Sequence, residues 1–417
     1  MKNRYISLFY GSFKVNVALK CILLYTCNYF SSFEKLNNIL VTAIKKHFDN
    51  VAGVFFFNSG RAALAACLKA RGIKEGDEVL LSAYTCLAVP TAIISTGAKP
   101  IYIDLKSGSL NMSKELILAA INPNVKAIII QHTLGSPAEI IEIVSLFSNS
   151  GILIIEDCAL SIGSKINDKF LGTFADAAIF SMELSKTLSC GWGGILMINS
   201  QSVKNEVNIF YNSISSRNII DSNRDFIQTI ISSVCYDPKL LDIIGKYIVY
   251  FFYKINIFRK STPILEFQGV ISDNFIQKMG KAQLIIAIYQ WKRFKEIITR
   301  CEQNTKFLQS ELAKININLI GLPNKFETSV TPRVSFLHNN RDLVIQYFSA
   351  KNIELGSWFD GPLSPLPSAS IYNYNKSFYP IAVQLSNSIV NIPSHSRLTT
   401  KDLNKILLVF NELDTKI

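Results

Sequence analysis

Between about residues 54 and 200 the chain alternates short β-rich runs with helical stretches, and this constrains the fold more than anything else in it. Val54–Phe57, Glu78–Leu81, Pro100–Ile103, Ala127–Gln131, Ile152–Glu156, Ala177–Phe180 and Ile195–Ile198 read as strands. Between them, Arg61–Arg71 reads as an Ala/Leu helix stopped by Gly72, and Leu87–Ser95 as a second. Ser136-Pro137-Ala138-Glu139 has the form of a capping box with Pro at the first helical position. Strands that are apolar throughout must be covered on both faces, so the pattern predicts an α/β fold around a mainly parallel sheet. Ligands of such sheets bind beyond the carboxyl ends of the strands, where Ser59, Asp157 and Ser181 fall.

With 417 residues the chain exceeds what one core usually serves, and two domains are expected. Residues 1–290 would hold an N-terminal segment and the large domain, with its core at 50–200 and an irregular insertion at 201–280. Residues 291–417 would form a smaller α+β domain: a long helix Lys281–Leu312 leading in, strand Val330–Leu337, helix Arg341–Ala350, a Pro/Ser-rich loop Gly361–Ser370 and a last helix from Thr399.

Apolar residues make up 49% and the mean hydropathy is +0.24, so membrane spans deserve a check. Lys14 and Lys20 interrupt the apolar stretch 5–33, while Asp242, Lys246 and Lys254 interrupt 239–258. Neither offers the roughly 18 uninterrupted apolar residues of a span. No small-residue cleavage site follows a clean apolar region, so a cytoplasmic protein is expected. Leu240–Ile257 reads as a helix with Asp242, Lys246, Tyr250, Tyr253 and Lys254 on one stripe. Its apolar remainder calls for cover by the body or a partner subunit, with peripheral membrane contact as the alternative.

The net charge of +12 is spread along the chain instead of forming a basic face, which argues against nucleic acid and suits anionic substrates or an acidic membrane surface. Eight cysteines without a C-x-x-C pair and four scattered histidines outline no metal site and fit a reducing compartment.

The chemistry concentrates around Lys186. An aliphatic run ends at Glu156-Asp157; Ser181-Met182-Glu183-Leu184-Ser185-Lys186 follows, and then Gly191-Trp192-Gly193-Gly194. This order suits pyridoxal phosphate: Asp157 paired with the pyridinium nitrogen, Lys186 as the Schiff-base amine, Ser181 on the phosphate. Such a lysine must be neutral to attack, so its surroundings should depress its pKa. Glu156 should face the other side of the strand in a structural role. Asn58-Ser59-Gly60-Arg61 joins a strand to a helix start, whose amides suit a phosphate.

These pieces in this order resemble the sugar-nucleotide aminotransferases of the DegT/DnrJ/EryC1/StrS family, of the aspartate-aminotransferase (type I) fold. The resemblance rests on Ser59-Gly60, Gly76-Asp77-Glu78-Val79, Gly97-Ala98-Lys99-Pro100, Glu156-Asp157, Gly172-Thr173-Phe174, Ser181 and Lys186. It returns at Phe378-Tyr379-Pro380 and Asn391-Ile392-Pro393-Ser394-His395. It implies a pyridoxal-phosphate homodimer with active sites at the interface, moving an amino group from glutamate to a nucleotide-linked keto-sugar for surface polysaccharide synthesis. Lys186 and Asp157 would be catalytic; Ser59, Gly60, Arg61, Cys86, Asp157, Leu160, Ser181 and Lys186 would contact the cofactor.

The chain departs from the family pattern at four places. Leu160 stands for a Gln that contacts the cofactor hydroxyl, Cys86 for a ring-stacking aromatic, and Trp192 for a Glu. Ile276 stands for a partner-subunit Asn, with Asn274 as the nearby substitute. Lys186 is retained where the related sugar dehydratases carry His. Pyridoxal-dependent lyase or dehydratase chemistry, and a non-catalytic regulatory role on the same fold, are the alternatives.

Overall fold

Seven strands form the central sheet of the computed structural model, which describes residues 4–9, 11–238, 240–272, 274–366 and 370–413. They are β1 (Gly53–Phe57), β2 (Glu78–Ser82), β3 (Lys99–Ile103), β4 (Val125–Gln131), β5 (Leu153–Asp157), β6 (Ala177–Ser181) and β7 (Gly194–Ile198). Their order is β1-β7-β6-β5-β4-β2-β3. Only β7 is antiparallel to its neighbours, so six strands point one way. The expected mainly parallel sheet is present, and each strand lies within two residues of its predicted span.

Burial explains why these segments carry so few polar residues. Phe56, Leu80, Ile103, Ile128, Ile130, Ile154, Phe180 and Ile195 enter one core. Their alternates Phe55, Val79, Leu81, Ile129, Ile155, Ile179 and Leu196 enter a second core on the other face. Helices Phe33–Lys45 and Lys281–Lys292 bury residues in the first core, and the Ala-rich helix Gly60–Ala70 in the second. Small side chains let that helix approach the sheet closely. A Cβ on Gly194 of β7 would sit 2.2 Å from the Ser59 carbonyl oxygen, so glycine is required where the helix start crosses the strand.

A third core gathers Leu308, Leu312, Val334, Phe336, Phe348, Ile392, Ile406 and Phe410 around the sheet β8 (Leu319–Ile320), β9 (Arg333–Leu337), β10 (Ile389–Pro393). Ile6 belongs to it too: its amide donates to the Asn352 carbonyl and its own carbonyl accepts from Glu354. β9 starts at Arg333 instead of Val330, consistent with Pro332 having no N–H for a ladder. Helix Arg341–Ala350 is found as predicted, and the last helix runs Thr400–Leu413. Of the Pro/Ser-rich loop, residues 367–369 lie outside the described residues.

Three local expectations are corrected. The capping box does not form: the helix begins at Ile140 and its cap makes no side-chain bond. Tertiary partners draw its groups away. Glu139 accepts from the Lys106 ammonium and the Lys114 amide, and the Ala138 amide donates to His132 Nδ1. The long helix Lys281–Leu312 is two helices, Lys281–Lys292 and Phe294–Lys314, broken at Arg293, whose guanidinium donates to the Ser12 carbonyl and to Gln290. The insertion expected to be irregular at 201–280 contains helices Gln201–Ser213, Ile219–Cys235 and Lys246–Lys254.

Leu240–Ile257 is a π-helical turn, Leu241–Gly245, continuing as the α-helix Lys246–Lys254. Val249 is buried while Lys246, Tyr250 and Lys254 of the expected stripe are exposed, together with Tyr247 and Phe251; the side chain of Asp242 lies outside the described ones. Among the described residues, no helix is long and apolar enough to cross a membrane.

Candidate active site

The chain leaves β6 at Ser181, loops through Lys186 and returns as β7. The loop is pinned at several points. Met182 and Gly193 are joined by a backbone bond, the Cys190 amide donates to the Met182 carbonyl, and the Gln290 side chain donates to the Ser189 carbonyl. Within it, one Glu183 carboxylate oxygen accepts from both the amide and the hydroxyl of Ser185, at 2.9 and 2.5 Å. Lys186 is thereby presented to a cavity of about 510 Å³, with its Nζ 5.6 Å from the centroid of the Trp358 ring. Burial pushes the Lys186 pKa down, with the Arg333 charge adding to it and Glu183, Cys86 and Asp157 opposing. The direction is the one a nucleophilic amine needs.

Asp157 ends β5, paired in register with Gln131 of β4 and Ile179 of β6. It is buried, and one carboxylate oxygen accepts from the Ala159 amide at 3.0 Å. Burial raises its pKa, while that amide, Lys186 and His132 pull the other way. A cationic partner from the cavity would relieve the desolvation. Glu156 points to the opposite face, as strand alternation requires. It is fully buried and accepts from the amides of Gly172, Phe174 and Ala175 and from the His132 ring. His132, Glu156 and Cys158 are close enough to hold a metal, yet the carboxylate and the imidazole are already bound to protein donors and acceptors.

The strand-to-helix turn after β1 forms a cradle. Ser59 caps the helix Gly60–Ala70 by accepting from the Ala62 amide, and its carbonyl accepts from Ala63. The amides of Gly60 and Arg61, both on the cavity wall, take no part in that cap. A Cβ at Gly60 would lie 3.2 Å from the Ser181 Cβ, so the helix start and the end of β6 are close neighbours. The Arg61 side chain is directed away from the cradle's amides to an ion pair with Glu266 and a bond to the Ser261 carbonyl.

Of the residues singled out in the sequence, Ser59, Gly60, Arg61, Cys86, Asp157, Ser181 and Lys186 line this one cavity. Leu160 is buried in a smaller adjoining cavity, shared with Cys86, Asp157 and Lys186. Trp192 also lines the main cavity, donating to Gln228 and carrying the Arg259 guanidinium 4.5 Å from its ring centroid. Asn274 is exposed and off the cavity wall. Sequence reasoning passed over Glu183, Arg259, Arg333 and Trp358. Glu183 lies inside the Ser181–Lys186 motif and could have been noticed; the other three come from distant segments without local signal.

A buried amine, a buried carboxylate, and uncommitted helix-start amides beside a serine face one cavity of ligand size. That donor set fits a group with a carbonyl carbon, a basic ring nitrogen and a phosphate, as in pyridoxal phosphate.

The sequence profile described as the DegT/DnrJ/EryC1/StrS aminotransferase family matches residues 35–244 and 267–410, leaving out 245–266. Among characterised relatives, GDP-perosamine synthase of Escherichia coli O157:H7 is 38% identical over 146 residues, 35% of this chain and 40% of that protein. The UDP-N-acetyl-3-dehydro-α-D-glucosamine 3-aminotransferase of Acidithiobacillus ferrooxidans is 37% identical over 144 residues, 34% of this chain and 39% of that protein. The matched stretch thus spans about two fifths of these relatives' length. Among solved structures, a DegT DnrJ EryC1 StrS aminotransferase from Brucella abortus superposes with a TM-score of 0.73 at 20% identity, covering 96% of both chains. The PLP form of the sugar aminotransferase Spr1654 from Streptococcus pneumoniae gives 0.71 at 17% identity, covering 100% of this chain and 99% of its own. At such identities these two speak for the type I fold.

Proposed function

This chain belongs to the DegT/DnrJ/EryC1/StrS aminotransferase family, and on that premise we propose that it is a pyridoxal-phosphate-dependent transaminase acting on a nucleotide-linked keto-sugar, with glutamate as the donor. The observation that carries the reading is the meeting of Lys186 and Asp157 in one cavity with the Ser59-Gly60-Arg61 turn and Ser181. Bound there, the cofactor supplies an electron sink that lets an amino group pass between two carbon skeletons.

The residues divide the work. Lys186 would hold the cofactor covalently, and its Nζ would carry the proton that the transfer moves. Asp157 would keep the ring nitrogen protonated. The Gly60 and Arg61 amides, with Ser59 and Ser181, would hold the phosphate, with Cys86 and Leu160 toward the ring. Arg61, paired with Glu266, and Trp192 line the cavity beside Arg259, Ser261 and Thr262, and would limit water at the reacting atoms. The large unit would extend to about residue 290 and the smaller from there to 417.

A homodimer would cover apolar side chains that one chain leaves in water, such as Ile220 and Tyr250. Its eight free cysteines suit a cytoplasmic site of action. Surface-polysaccharide synthesis is the role that fits a relative named for spore coat polysaccharide biosynthesis, SpsC of Bacillus subtilis.

The test is spectroscopic. Protein reconstituted with pyridoxal phosphate should show a visible band absent from Lys186→Ala, and glutamate should discharge it with release of 2-oxoglutarate. A band that no amino acid discharges would refute transamination in favour of lyase chemistry; no Lys186-dependent band would refute the cofactor assignment.

A further inference from the structure

Trp358 is fixed in the site by its backbone, and one of its polar atoms is left over. Its amide donates to Asn391 Oδ1 at 2.7 Å, and Asn391 Nδ2 donates in turn to Ser335 Oγ, which ties the residue to β10 and β9. The next amide, that of Phe359, donates to Tyr84 Oη, and those two rings meet edge to face with centroids 5.1 Å apart. The Trp358 ring centroid lies 5.6 Å from Lys186 Nζ. Its Nε1 is buried and has no hydrogen-bond partner among the described residues.

The other two tryptophans do not share this condition. Trp192 Nε1 donates to Gln228, and Trp291 Nε1 to the Ala43 carbonyl. A buried N–H without an acceptor has lost its bond to water, and an acceptor brought by a ligand would restore one. Arg333, whose Cζ lies 4.2 Å from the Trp358 ring centroid, draws on the ring electrons and sharpens the N–H as a donor.

The surroundings select the acceptor. Trp358 lines the main cavity and also the adjoining one of about 40 Å³, which it shares with Lys186, Asp157, Cys86 and Leu160. Two other donors on that small cavity are bound to protein: Gln131 Nε2 to the Tyr84 carbonyl and Thr133, and His132 Nε2 to Glu156. Leu160 offers no donor at all. In pyridoxal phosphate the ring oxygen stands on the carbon beside the one bearing the aldehyde, so it must come close to the amine that bonds there. The cradle at Gly60 provides for the phosphate and Asp157 for the ring nitrogen. The ring oxygen is the polar atom still to be met.

We propose that Trp358 Nε1 is the hydrogen-bond donor to the ring oxygen of the cofactor, the contact that Leu160 cannot make. Trp358 thereby tunes the nitrogen of Lys186. A bond to the oxygen draws charge from it, so that it holds the proton on the neighbouring nitrogen less tightly. The assignment rests on the cofactor part of the proposed function and not on transamination.

The test is a pH titration of the Lys186-dependent visible band in the protein loaded with pyridoxal phosphate, with no substrate present. Trp358→Phe keeps an aromatic ring and loses the N–H. Its band should persist to higher pH, with the midpoint raised by about 1 unit or more. Adding Leu160→Gln to that variant supplies a donor from another side of the small cavity and should bring the midpoint most of the way back. An unmoved midpoint in Trp358→Phe overturns the proposal, even where the cofactor binds more weakly, and leaves Trp358 as packing. Wild type that forms no Lys186-dependent band refutes the cofactor assignment itself, and this proposal with it. Should Trp358→Phe not fold, wild type decides by proton resonance. Of its three indole N–H signals, one should move downfield on loading with pyridoxal phosphate and stay in place with the 3-deoxy analogue. The same response to both compounds overturns the proposal.

Discussion

The two walls of the cavity are built on different principles. On the sheet wall, each functional group is fixed by nearby backbone. Ser59 caps its own helix, Asp157 accepts from Ala159, and Glu183 is held by Ser185. On the opposite wall, Arg259 and Trp358 are held by Asp225 and Asn391, and the Arg61 side chain by Glu266, all more than thirty residues away in sequence. A wall made of local bonds can be read along the chain. A wall made of long-range ion pairs exists only once the fold has closed, and its charges remain adjustable to whatever binds.

The contrast is broken most directly at Lys186. Lys186→Ala should lower turnover by about 10⁴-fold or more with no loss of folding, measured as product formation beside a denaturant melt. Comparable activity in that variant would remove the sheet wall from the chemistry. Asp157→Asn should cost about 1,000-fold in kcat while cofactor still binds.

On the opposite wall the effects should be read in stability. Glu266→Gln leaves the Arg61 guanidinium buried without its counter-charge and should cost about 3 kcal/mol, seen in the urea midpoint. An unchanged midpoint would mean that this pair is not held closed in solution.

His395 sharpens the same point through pH. It is buried, its Nε2 donates to the Ser7 carbonyl, and its Nδ1 has no partner among the described residues. Burial drives its pKa from 6.5 to about 4, with Arg397 adding to the effect. Below about pH 6.5 the unfolded chain therefore binds a proton that the folded chain refuses. Stability should fall by about 2 kcal/mol between about pH 7 and pH 5 from this group alone. His395→Asn should flatten that part of the profile; an unaltered slope would assign it elsewhere. The smallest effect is expected back on the sheet wall. Ser181→Ala would remove one of the proposed phosphate donors and should weaken cofactor binding about 10-fold by equilibrium titration, with kcat at saturation nearly unchanged.

How much of this was legible follows the same division. The strands were found because burial on both faces leaves little choice but aliphatic side chains, and their ends placed Asp157 and Ser181 correctly. The Ser136–Glu139 motif misled because a capping box is a competition for donors, and here Lys106, Lys114 and His132 supply stronger partners from outside. The long helical stretch from Lys281 was seen, but not its break at Arg293. The pattern there stays helical, and the break coincides with bonds to Ser12, nearly three hundred residues upstream.

By itself the sequence determined the sheet and put the amine, acid and cradle at the strand ends, because those depend on periodicity and on backbone groups within a few residues. Only the tertiary structure decided which groups face one another: that Arg61 meets Glu266, that Arg259 meets Asp225, and that Arg333 lies on Trp358. The physical reason is that Coulomb and ring contacts act through space, and the distances that set them do not exist until the chain has folded.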